Sequence, residues 1–279
     1  MSETYIRIEG VTICTESFGD PEDPALLLIM GAQSSMIWWE EKFCRQLADR
    51  GLFVIRYDNR DVGRSTVYDA GQPGYTLEDM ADDAIAVLDA YEIEQAHIMG
   101  MSLGGMLAQI VALRHQNRVR SVILLASSNF AAHLPPMEEK VAAFFAQMGD
   151  VDLTDRAAFV RFSIDRSRVL VGSKHAFDEK KTGELAGQDF DRAERPSSMT
   201  NHAQLAGGEV YMRRTKEISV PALVIHGTED PILPYEHGLY LFDRIPGAKL
   251  LTLEGSGHEL HEDDWAMVIE AIAEHLHFF

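Results

Sequence analysis

Positive charge and cysteine are both scarce in this chain. Lys and Arg number 25 against 44 Asp and Glu, which leaves a formal net charge of -19. Binding to nucleic-acid phosphates depends on clustered Lys and Arg, and no such cluster is present, so nucleic acid is excluded as a partner. The same repulsion argues against anionic membrane surfaces, and the acidity reads as a means of keeping a soluble protein dispersed. Cys14 and Cys44 are the only cysteines. Two are too few for a disulfide framework, and Cys44, in a helical-looking segment, suits a buried reduced thiol. No uninterrupted apolar run is long enough to span a bilayer. The start MSETYIRIEG lacks the basic-then-apolar order of a secretory signal, so the expectation is a cytoplasmic protein with no membrane partner. Internal repeats and low-complexity tracts are likewise missing.

What is present is enough apolar material, 46% over 279 residues, to bury a full-sized core. ALLLIM (25–30), LFVIRYD (52–58), QAHIMG (95–100), RSVILLA (120–126), PALVIHG (221–227) and AKLLTLEG (248–255) read as strands. Between them, residues 77–93 and 103–116 carry apolar positions at helical spacing. Strands alternating with helices imply an α/β fold around a mostly parallel central sheet flanked by helices. The alternation stops between Ser127 and about Lys216, where MEEKVAAFFAQMG, RAAFVRFSIDRSRVLVG and the segment through Arg213 read as helices only. An inserted helical cap over 130–216 follows, with the core assembled from 1–129 and 217–279.

Gly100-Met101-Ser102-Leu103-Gly104 falls directly after one strand and directly before one helix. That placement is what gives a G-x-S-x-G run meaning: a sharp strand-to-helix turn pushes the serine out, and the flanking glycines let the backbone pack without side-chain clashes. Seen alone, Ser102 would serve equally as a helix cap. The helix that follows directs free N–H groups toward negative charge developing beside Ser102, which makes the Leu103 N–H an oxyanion donor.

A serine hydroxyl needs an imidazole to take its proton and a carboxylate to hold that imidazole. At an elbow of this type the acid and then the histidine follow later in the chain. Thr228-Glu229-Asp230-Pro231 ends one strand, and Asp230, beside a proline that stiffens its backbone, is the better acid; Glu229 is longer and freer to face solvent. Gly255-Ser256-Gly257-His258 ends the next strand and supplies His258 as the base. His97 and His226 lie in strands and His275 and His277 in the terminal helix; His226 reads as a hydrogen-bonded core histidine.

After ALLLIM the run Met30-Gly31-Ala32-Gln33 offers Ala32 as the second oxyanion N–H. Trp38, Trp39, Met101, Ile232 and Leu233, with Phe144, Phe145 and Met148 from the cap, form a candidate apolar pocket, although core packing would account for the tryptophans as well. His258 through Asp264 contains two histidines among carboxylates, a spacing able to hold a divalent ion. One histidine does not serve readily as both metal ligand and proton acceptor, and no HExxH pattern occurs, so no metal is assigned and Glu259 to Asp264 reads as a solvated helix start.

Together FGDPEDPALLLIMG, VIRYDNRDVGRST, GMSLGG, ALVIHGTEDPILP and EGSGH resemble the α/β-hydrolase fold family, within it the branch of aclacinomycin methylesterase and related esterases. The resemblance covers the core from Phe18 to His258. It implies a cofactor-free carboxylic ester hydrolase acting on a small-molecule ester through an acyl-enzyme, with Ser102 as nucleophile, Asp230 as acid, His258 as base, and Ala32 and Leu103 as oxyanion donors. It also implies structural roles for Asp58 and Arg60. The usual His-Gly before the oxyanion loop is Met30-Gly31 here. Carbon–carbon bond hydrolases of the fold typically have Asn at the Met101 position and Trp at the Glu259 position, which counts against that alternative. A cofactor-free haloperoxidase or perhydrolase would use the same triad, and an intact triad weighs against a non-catalytic ligand receptor. Homo-oligomerisation is left open.

Overall fold

A computed structural model of the chain describes residues 3–8 and 10–276; His277 lies outside the described residues. Its eight strands are β1 (Thr4–Ile8), β2 (Val11–Phe18), β3 (Ala25–Ile29), β4 (Phe53–Tyr57), β5 (Ala96–Met101), β6 (Val119–Leu125), β7 (Ala222–Gly227) and β8 (Lys249–Leu253). They form one sheet in the order β1-β2-β4-β3-β5-β6-β7-β8. β1 pairs antiparallel with β2 and β2 with β4; all other pairs are parallel. A parallel sheet is covered on both faces, so its strands read as continuous apolar runs, which is why ALLLI in β3 is buried at every position. β1 and β2 escaped the sequence reading because VTICTESF mixes Thr, Glu and Ser into an edge hairpin instead of a solid apolar run.

Helices α1 (Glu41–Ala48), α2 (Leu77–Ala90) and α3 (Leu103–Arg114) connect the first six strands. α2 starts at a capping box, with Thr76 Oγ1 accepting from the Asp79 N–H and the Asp79 carboxylate accepting from the Thr76 N–H. One face of the sheet packs on α2 and α3 through Met80, Ala84, Leu107, Ile110 and Val111. The other packs on α1 and the terminal helix through Phe43, Leu47, Trp265, Ile269 and Ile272. Each of the larger of these buried side chains contributes about 2 kcal/mol.

Between β6 and β7 the described chain holds helices α4 (Glu139–Ala146), α5 (Arg156–Leu170), α6 (Glu179–Arg192) and the short α7 (Glu209–Met212), with no strand. α4 is shorter than its sequence pattern, giving way to a tighter turn at Met148–Asp150. α5 stops at Leu170 because Val171 turns extended and Gly172 follows. Leu153, Phe159, Phe162 and Met199 form a small separate core there with Val62. α8 (Glu236–Arg244) and α9 (Trp265–Leu276) complete the chain.

Candidate active site

Ser102 occupies the turn between β5 and α3 with φ 54° and ψ -117°, a left-handed conformation rare for a residue with a Cβ. The turn is closed by its neighbours' lack of side chains. A Cβ on Gly100 would lie 2.0 Å from the Gly104 carbonyl oxygen, and one on Gly104 would lie 2.0 Å from that of Ile29. The strain at Ser102 is held by the Ser102 N–H donating to Leu125 O at 2.9 Å and by Ser127 Oγ donating to Ser102 O at 2.9 Å.

His258 and Asp230 form a closed pair. His258 Nδ1–H donates to Asp230 Oδ2 at 2.7 Å, which leaves Nε2 as the acceptor nitrogen of the neutral ring. The other carboxylate oxygen accepts the N–H groups of Ile232 (2.9 Å) and Leu233 (2.8 Å). Burial alone would raise the Asp230 pKa, but His258, with further help from His226 and the Leu233 N–H, holds it below the usual carboxylate range. His226 is fully buried and donates Nε2–H to Leu233 O at 2.7 Å, as expected of a core histidine. Burial pushes its pKa down. Glu229 is exposed, as its length suggested, and there accepts from the N–H and the hydroxyl of Ser173, both at 2.7 Å.

Ser102 and His258 line one cavity of about 990 Å³. Among the described residues no hydrogen bond joins them, a contact that in unliganded sites commonly tightens only with substrate. Ala32 lines the same cavity, and its neighbour Gly31 passes so close to the serine that a Cβ there would stand 3.2 Å from Ser102 Cβ. Leu103 is the first residue of α3, where an N–H has no acceptor within the helix.

Of the expected pocket residues, Trp38, Trp39, Met101, Phe145, Met148 and Ile232 line the cavity. Phe144 does not; it stacks on Phe162, centroids 5.3 Å apart, in the small core of the helical insert. Leu233 does not either: its side chain is buried and its backbone serves Asp230. Glu259 to Asp264 is less solvated than its charge suggested. Asp264 is buried, and Glu259 Oε1 accepts from the Gly172 N–H at 3.2 Å.

Two site residues escaped the sequence reading. His202 accepts the Gln33 N–H on Nδ1 at 2.9 Å and donates Nε2–H to Arg60 O at 2.7 Å, bracing the loop beside Ala32, where Gln33 sits at φ 63°. Arg166, buried on α5, lines the cavity with its guanidinium over Trp38 (5.5 Å) and only long bonds to Gln33 O (3.3 Å) and Ser34 Oγ (3.4 Å). Neither has a local motif, because each acts only through residues more than a hundred positions away. The YDNRDVGRS run is structural: Asp58 accepts the Met36 and Arg64 N–H groups and both Arg192 nitrogens, and Arg60 forms a two-pronged pair with Asp83.

Residues 24–264 match the sequence model of the alpha/beta hydrolase fold family. The chain is 32% identical to rhodomycin D methylesterase DauP of Streptomyces sp. strain C5, and 31% identical to rhodomycin D methylesterase DnrP of Streptomyces peucetius, covering 93% of each chain in both cases. Its fold is similar to that of 2-hydroxy-6-oxo-6-phenylhexa-2,4-dienoate hydrolase from Rhodococcus sp. strain RHA1, with a TM-score of 0.80 at 21% identity over 99% of this chain and 98% of the other.

Proposed function

We propose that this chain, which belongs to the alpha/beta hydrolase fold family, is a serine carboxylesterase working through Ser102, His258 and Asp230. The observation that carries the reading is the closed His258–Asp230 pair on the same cavity as a serine at a strained strand-to-helix elbow. Ser102 Oγ attacks the ester carbonyl carbon while its proton passes to His258 Nε2. The oxyanion meets the N–H groups of Ala32 and Leu103, each worth about 3 kcal/mol to the step. The C–O bond to the alcohol breaks, and the alcohol leaves with the proton from His258. Water, deprotonated by His258, then attacks the acyl carbon and releases the acid, and the proton returns to Ser102.

Similarity to rhodomycin D methylesterases supports a methyl or other small-alcohol ester of a larger hydrophobic acid. The cavity's size and its Trp38, Met101 and Phe145 walls accord with that acyl part. Arg166 adds a guanidinium with unused donors, so the acid is expected to carry an oxygen acceptor facing α5. Residues 130–216 act as a cap that shapes the acyl side. Ser102→Ala is expected to abolish turnover of a chromogenic short-chain ester while its circular dichroism stays native; unchanged turnover refutes the assignment. An ester panel varying acyl ring size and alcohol length, read by kcat/KM, tests the substrate class.

A further inference from the structure

A second group of side chains sits on the rim of the same cavity. His175 comes from the connection between α5 and α6, whereas His261 and Asp263 come from the turn between His258 and α9. The two imidazoles lie face to face, with centroids 4.0 Å apart and planes within 8°. Asp263 Oδ2 stands 3.5 Å from His175 Nδ1 and 3.6 Å from His261 Nδ1. One donor atom from each of the three residues fits within 4.8 Å of the others.

These separations are too long for good hydrogen bonds. The two Asp263–imidazole separations match ligands about 2.05 Å from a tetrahedral ion, which stand about 3.4 Å from one another. The stacked rings aim their lone pairs along parallel planes, so the His261 ring has to swing out of the stack before both imidazoles meet one ion. The opposite edge of His175 is already fixed. Its Nε2–H donates to Asp264 Oδ2 at 2.9 Å, which leaves Nδ1 as a bare lone pair turned to Asp263. Asp264 is buried and secured by Ser256 Oγ at 2.9 Å and Lys174 Nζ at 2.5 Å. A buried carboxylate holding the far nitrogen of an imidazole is the arrangement that orients metal-binding histidines. On His261, Nδ1 accepts only a 3.2 Å bond from the Asp263 N–H, which an ion would displace.

We propose that His175, His261 and Asp263 form a site for a divalent transition metal, zinc being the best match to two imidazoles and one carboxylate. The fourth coordination position is left to water. The site joins the helical insert to the segment directly after His258, so occupancy clips the insert onto the core at the cavity mouth. His258 takes no part, which removes the conflict between ligand and base that a site within residues 258–264 alone would create.

The test uses the full chain stripped with a chelator. Titration calorimetry with zinc chloride near neutral pH should give one ion per chain and raise the melting temperature. Cobalt(II) in place of zinc should show the intense visible bands of a tetrahedral N/O site. Asp263→Asn, at a position 70% exposed and so without folding cost, and His261→Ala should each weaken zinc binding by about tenfold or more. His133→Ala, outside the cluster, should bind as the unaltered protein does. No binding by the unaltered chain, or binding by Asp263→Asn and His261→Ala as tight as by the unaltered chain, overturns the site.

Discussion

The two walls of the cavity share one device and differ in another. The sheet-side wall is held by close backbone packing, so tight that Gly100 and Gly104 leave no room for a methyl group. The insert-side wall meets the core as closely at one place, where a Cβ on Gly172 would stand 2.1 Å from Gly255 O. It is otherwise held by side chains and single backbone bonds that reach across it: Arg192 to Asp58, Ser173 to Glu229, the His258 N–H to Leu170 O, and the Lys174 N–H to Gly255 O. The division is one of packing throughout on one side against packing at a single point plus side-chain ties on the other.

Neighbouring carboxylates make the sharpest test of that division. Asp230→Asn, on the sheet side, is expected to lower kcat by about 10⁴-fold through loss of the correct imidazole tautomer. Glu229→Gln, tied to the insert, should stay within about threefold, since exposed polar contacts are worth under 1 kcal/mol. Steady-state kinetics on one ester decides it, and comparable losses in both would dissolve the distinction.

Glycine substitutions probe packing in the same way. Gly104→Ala forces its methyl against Ile29 O and should cost about 3 kcal/mol or prevent folding. Gly149→Ala in the insert meets nothing within 4 Å and should change stability by under about 0.5 kcal/mol. Urea denaturation midpoints measure both, and a tolerated Gly104→Ala would contradict the close packing of the elbow.

Acid should act on the sheet side too. His97, buried in β5 with Nδ1 on Ser121 Oγ at 2.8 Å, is pushed from 6.5 down to about 4 by burial, with Arg120 and His275 adding to the effect. The unfolded chain therefore takes up this proton at a higher pH than the folded one. Stability is whole above pH 6.5 and falls as pH drops toward 4, by about 3 kcal/mol at most. His97→Gln should flatten that portion of the stability–pH curve; an unchanged slope would show that other groups carry it.

A smaller loss than at Asp230 is expected from the insert. His202→Ala removes the brace on Gln33 and should reduce kcat about tenfold, because a misplaced donor loses part of its value, while the melting temperature moves little. A change confined to KM would mean that His202 shapes the pocket and not the oxyanion loop.

Six of the eight described strands were legible as apolar runs: β3 to β7 because strands buried on both faces admit little else, and the half-buried edge strand β8 through its three leucines. Ser102, Asp230 and His258 stood out as candidates because each sits at a strand end beside glycine or proline, whose conformational limits show in the letters. Phe144 and Leu233 were misplaced for the opposite reason: an apolar side chain carries no mark telling cavity lining from core. His202, Arg166 and His175 left no local signal, since their partners are set by how the insert lies on the sheet, whereas His261 and Asp263 fall in the 258–264 run whose spacing was already legible.

By itself the sequence determined the order of strands and helices from β3 onward, the sharp turn at Ser102 and the preference for Asp230 over Glu229, all local consequences of backbone sterics and hydrophobic period. Only the tertiary structure decided which side chains of the insert reach the cavity and which lie in its own small core. Those choices depend on close approach between segments distant in the chain, and no spacing of letters encodes that distance.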